Sequence, residues 1–80
     1  MKLNHFIFNT MVMSARDWAK HYNVEFKCNE EMGTINFICN KTEVELEIKV
    51  RGANDYEFKG RRYTDENAVC RQAALMAHNH

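Results

Sequence analysis

The chain has 80 residues, 45% of them hydrophobic, and eleven basic side chains balance eleven acidic ones. That length supports one small core and a single domain over 1–80, and the zero net charge sets up no global field toward nucleic acid or anionic lipid. No stretch approaches the roughly 18 uninterrupted apolar residues of a membrane helix.

The opening "MKLNHFIFNTMVM" is broken by Asn4, His5, Asn9 and Thr10 and lacks a small-residue cleavage pattern, so it does not read as a signal peptide. Phe6 and Phe8 alternate as in an extra strand over residues 3–8, while "FNTMVM" equally extends the helix that follows, leaving residues 1–13 an extension or a strand. "SARDWAKHYN" spaces Ala15, Trp18, Ala19 and Tyr22 as on one helical face, with Ser14 as the expected cap and Asp17 three residues on. "VEFKC" alternates Val24, Phe26 and Cys28 against Glu25 and Lys27, the period of a half-buried strand. "NEEMG" turns the chain, and "TINFICN" puts Ile35, Phe37 and Cys39 on one face. After "NKT", "EVELEIKV" points Val44, Leu46, Ile48 and Val50 inward, with Glu43, Glu45, Glu47 and Lys49 on the other face. "RGAND" offers Gly52 and Asn54 for positive φ, and "YEFKG" is the last strand, with Tyr56 and Phe58 inward. Thr64 is the expected cap of a final helix whose stripe is Val69, Ala73 and Met76, with Asp65 and Glu66 complementing the helix dipole.

The expected fold is α+β: a helix, a meander of three or four antiparallel strands and a second helix, both helices packed on one sheet face. With "WAKHYNVEF", Gly33, Phe37 and "FKGRRYTDENAVCRQAALMA" in that order, Ser14 to His78 resembles the double-stranded RNA-binding domain, mainly in topology. The resemblance implies that fold and contact with RNA. Members of that family reach across the RNA major groove with a lysine cluster at the start of the final helix, where this chain has Asp65, Glu66 and Asn67, and contact the minor groove with a proline and a histidine in a turn that here reads "EEMGT". The carboxylates repel phosphate.

Cations crowd one corner. Arg51, Lys59, Arg61 and Arg62 precede the last helix, with Tyr63 beside them as a ring for base stacking and Arg71 as an extension. Arginine grips phosphate bidentately, and each phosphate contact steepens the salt dependence of binding by about 0.7 to 0.9 in log–log slope. The corner reads as an RNA-phosphate site or as a solvated turn paired with Glu57, Asp65 or Glu66, and Tyr63 as a stacking ring or a hydrophobic staple. The Glu43, Glu45, Glu47 ladder reads as a sheet's solvent face or as an attractor for a basic partner.

No nucleophile, cofactor signature or paired-carboxylate arrangement stands out, so a non-catalytic protein is expected. Cys28, Cys39 and Cys70 all point inward in this scheme, but none lies in a CxxC pair, and neither a metal site nor a cofactor is expected. An odd cysteine count fits a reducing compartment, which makes the cytoplasm the expected location. "HNH" at the end of the chain reads as a fraying tail. Two function classes follow: a small RNA-binding regulator, and a protein-binding inhibitor, antitoxin or phage-type regulator, as a homodimer in one form, acting through a sheet edge or the acidic strand face. Met11, Met13 and Met32, if exposed, suit such a protein interface.

Overall fold

Segments 30–33, 39–44, 53–54 and 59–60 join the strands, too short for a parallel crossover, so each strand pairs antiparallel with the next. The computed structural model describes residues 4–80: α1 (His5–Tyr22), β1 (Glu25–Asn29), β2 (Thr34–Ile38), β3 (Glu45–Gly52), β4 (Asp55–Phe58), β5 (Arg61–Tyr63) and α2 (Glu66–Asn79). The five strands form one meander in the order β1-β2-β3-β4-β5. This is the expected α+β arrangement with one more strand.

Register divides the sheet into two chemistries. Directly opposed residues share a face, and three rows run across the helix side: Phe26, Phe37, Leu46; Cys28, Ile35, Ile48, Phe58, Arg61; and Val50, Tyr56, Tyr63. Most of these side chains join Phe8, Met11, Ala15 and Ala19 of α1 and Val69, Cys70, Ala73, Ala74 and Ala77 of α2 in one core. The alanines let both helices lie close to the sheet, α1 over β1 to β3 and α2 over β2 to β5. The open face is polar: Lys27, Asn36, Glu47 form one row, and Asn29, Thr34, Lys49, Glu57, Arg62 another.

Several sequence expectations change here. Over residues 4–8 the extra strand is absent, while Leu3 lies outside the described residues. The helix begins at His5 because the Asn4 side chain caps it, accepting from the N–H groups of Phe6 at 2.8 Å and Ile7 at 3.4 Å. Ser14, expected as the cap, is buried within α1. The helix stops at Asn23, whose left-handed φ of 56° supports N–H bonds from Val24 to Ala19 and from Asn23 to Lys20 in the Schellman pattern. Asp65, not Thr64, caps α2, accepting from the Asn67 N–H at 3.0 Å. Val44 is 56% exposed because β3 starts one residue later, after Glu43 takes a left-handed φ of 62° that breaks the alternation. Positive φ in the "RGAND" turn falls on Asn54 and not Gly52. The C-terminal residues dock: the backbone oxygen of His80 accepts from the Lys41 and Thr42 N–H groups at 3.0 and 3.1 Å.

One side chain ties the helices together. Asn67 Oδ1 accepts from Ser14 Oγ at 3.1 Å and Trp18 Nε1 at 3.2 Å. Ser14 is only 8% exposed, so loss of its acceptor strands a buried hydroxyl. Asn67→Ala is expected to lower unfolding stability by about 1 to 3 kcal/mol, the range for an unsatisfied buried polar group, read from the midpoint of urea denaturation.

Candidate interaction surfaces

The "KGRRY" corner is a β-hairpin. Lys59 and Gly60 form its two-residue turn at φ of 51° and 79°, positive at both central positions as the twist of a tight hairpin favours. Arg61, Arg62 and Tyr63 then form β5, the strand that the sequence reading missed. Strand alternation sends the two arginines apart: Arg61 lies in the helix-side row with Phe58, and Arg62 on the open face beside Glu57.

Two of the four neighbouring cations are engaged. Arg51 sits at a bulge in β3 and donates from Nε to Glu57 Oε1 at 3.1 Å and from its terminal nitrogen to the same oxygen. This contact holds the Glu57 carboxyl below its ordinary value of 4.5 and raises the Arg51 guanidinium. Arg62 lies 3.5 Å from Asp55. Lys59 and Arg61 form no ion pair among the described residues. Tyr63 is half-buried and packs on the core opposite Tyr56, so its ring is a wall of the core. Arg71 is exposed on the stripe of α2 that carries Asn67 and His78, which faces α1 and not β5. The six candidate residues therefore divide among the open face, the turn, the helix-side face and the exposed surface of α2.

The acidic ladder is also interrupted. Glu43 stands in the loop before β3, while Glu45 accepts from Lys27 Nζ at 2.9 Å and from Asn36 Nδ2 at 2.9 Å. The Lys27 bond, then the Asn36 bond, hold the Glu45 carboxyl below the ordinary range. Opposite charges thus alternate across the open face, and its strand residues include no aromatic ring for a base to stack on.

Trp18 and Tyr22, expected in the core, lie at its rim in a cluster with two histidines. Trp18 stacks on Tyr22 at 6.0 Å, His21 meets both edge-on, and His78 of α2 stands 5.9 Å from Tyr22. Met11 is fully buried against Cys70, whereas Met13 and Met32 are exposed. A shallow cavity of about 570 Å³ opens beside the start of β1, lined by residues that include Asn23, Glu25, Cys39, Asn40 and Glu43. No group of three or more histidine, cysteine or acidic residues fit for a metal ion occurs among the described residues. Nor is any described helix long and apolar enough to cross a membrane.

Among the described residues, strand β1 is the longer free edge of the sheet, and its backbone polarity follows from its neighbours. The Val50 N–H donates to Gly33 at 2.7 Å and the Cys39 N–H to Val44 at 2.8 Å, so the odd-numbered residues of β2 bond toward β3. Thr34, Asn36 and Ile38 bond toward β1, against Asn29, Lys27 and Glu25. The N–H and C=O groups of Phe26 and Cys28 consequently point away from the sheet. Phe26 is half-buried and Cys28 exposed, although the sequence pattern placed both in the core. With His5–Tyr22 helical, β1 is the first strand of the meander and has only one neighbour.

Comparison with protein-family models, curated proteins and solved structures returns no match.

The cysteines differ sharply in access. Burial pushes the Cys70 thiol up to about 12, Cys39 is also buried, and Cys28 stands in the open. A soluble thiol reagent at pH 8 is expected to label one cysteine in the native protein, at Cys28, and all three after denaturation, read by peptide mass spectrometry. Native labelling of Cys70 at a comparable rate would contradict this packing.

Proposed function

We propose that this chain is a non-catalytic protein-binding module whose partner adds a strand to the free edge of β1. What supports the reading is the outward polarity of Phe26 and Cys28 beside a half-buried ring: unpaired donors and acceptors supply main-chain bonding, and alternate side chains supply selectivity. The other free edge, β5, has three residues and exposed arginines, features that blunt strand addition. Five residues of β1 without proline or bulge leave its edge usable.

RNA contact is the second reading, supported by Lys59 and Arg61, which no acidic partner occupies among the described residues. Two free cations on a neutral chain give a weak phosphate attraction that salt readily screens.

One pair of variants separates these readings. Cys28→Pro removes an outward N–H and breaks no bond to β2, whereas Arg61→Glu with Arg62→Glu inverts the corner. With the unaltered protein as bait, captured proteins are expected to be lost on Cys28→Pro and kept on the arginine variant. Fluorescence anisotropy with labelled duplex and single-stranded RNA at low salt is expected to show no binding that the arginine variant abolishes. Salt-dependent RNA binding removed by the arginine variant, with no protein lost on Cys28→Pro, would overturn the proposal in favour of RNA.

A further inference from the structure

Resting on the strand-addition reading, we infer that the strand added at β1 is β1 of a second copy of this chain, in antiparallel register centred on Phe26. In a two-fold pair of antiparallel strands each residue opposes one whose backbone points the same way, so the outward residues Phe26 and Cys28 can oppose only outward residues. Registers centred on each of the five residues of β1 satisfy this, and the one centred on Asn29, the last of the strand, carries Phe26 and Lys27 opposite the turn.

Charge selects among them. Centring on Glu25 sets Glu25 against its own copy, and centring on Lys27 sets Lys27 against its own copy, each in the closely spaced pair where like charges repel most. Centring on Cys28 sets Lys27 against the uncharged Asn29 and Phe26 against Glu30, so no opposite charges meet. Only centring on Phe26 opposes Glu25 to Lys27 of the other copy, and symmetry makes that ion pair twice. Glu25 and Lys27 both lie on the open face and are exposed, so the pairs form without repacking the core.

The helix-side row matches as well. Phe26 meets its own copy across the axis, and exposed Cys28 comes to lie opposite Val24. Main-chain bonds join Phe26 to Phe26 in both directions, and each Cys28 N–H meets a Val24 carbonyl. The Val24 N–H is already used within its own chain, donating to Ala19 at 2.9 Å, so that donor is satisfied as well. The two sheets join into one of ten strands, in which β1 is no longer an edge.

The test is sedimentation equilibrium of purified protein over a concentration series, with circular dichroism to confirm folding. The unaltered chain is expected to form dimers. Glu25→Lys alone and Lys27→Glu alone are each expected to weaken dimerisation about tenfold or more, because two attractive cross-strand pairs become repulsive. The double variant Glu25→Lys, Lys27→Glu restores the pairing and is expected to return the dissociation constant to within about threefold of the original. Because Lys27 also pairs with Glu45 within the chain, a second variant guards the result. Phe26→Cys with Cys28→Ser places two cysteines directly opposite, at about the 5.5 Å Cα separation a disulfide tolerates, and oxidised glutathione is expected to cross-link it into a covalent dimer. A monomer at every concentration, single reversals without effect, or a double variant that stays as weak as the singles would overturn the inference. If the chain stays monomeric while Cys28→Pro still abolishes protein capture, the second copy is refuted and strand addition at β1 stands.

Discussion

The structure depends on strand parity. Because alternate residues face opposite ways, and the ladders hold opposed residues on a common side, Phe26, Phe37, Tyr56, Phe58 and Tyr63 share the helix side of the sheet. Two helices that bury alanines against that side can then cover it at close range. The open side keeps no strand aromatic and carries alternating charges tied into pairs such as Lys27 with Glu45 and Arg51 with Glu57. What remains unsatisfied is at the edge, and there the same parity aims the backbone of Phe26 and Cys28 outward.

Elements of strong period were legible from sequence. The alternation of Leu46, Ile48 and Val50 survives in the structure, as do Val69 and Ala73 of the final stripe, because burial on one side selects them, while Met76 is only half-buried. Boundaries were less legible where a cap or a left-handed residue decides them. Ser14 has the chemistry of a cap, yet Asn4 performs that role ten residues earlier, and Ser14 instead bonds Asn67 across the helix pair. Nothing local distinguishes these uses of a hydroxyl. Glu43, with its unusual φ, hid the exposure of Val44 in the same way.

The candidate site was legible as composition and illegible as geometry. Lys59, Arg61 and Arg62 are neighbours in sequence, but β5 is three residues long with two of them arginine, so no apolar alternation announced it. Once β5 exists, adjacent arginines must face opposite sides, and the antiparallel register sets Arg62 opposite Glu57, within 3.5 Å of Asp55, while Arg61 lies opposite Phe58. The edge at β1 was hidden for the converse reason. Val24, Phe26 and Cys28 alternate like core residues, and only the position of β1 at the end of the sheet leaves Phe26 half-covered and Cys28 exposed.

Amide hydrogen exchange resolved by NMR in dilute solution tests this account most directly, because it reads the polarity of β1 residue by residue. The Lys27 amide, bonded toward β2, is expected to exchange slowly, while those of Phe26 and Cys28 exchange at close to solvent-exposed rates and gain protection as protein concentration rises. Equal protection of Phe26, Lys27 and Cys28 in the dilute monomer would mean that the edge is already covered, and would contradict both the free strand and its role in binding.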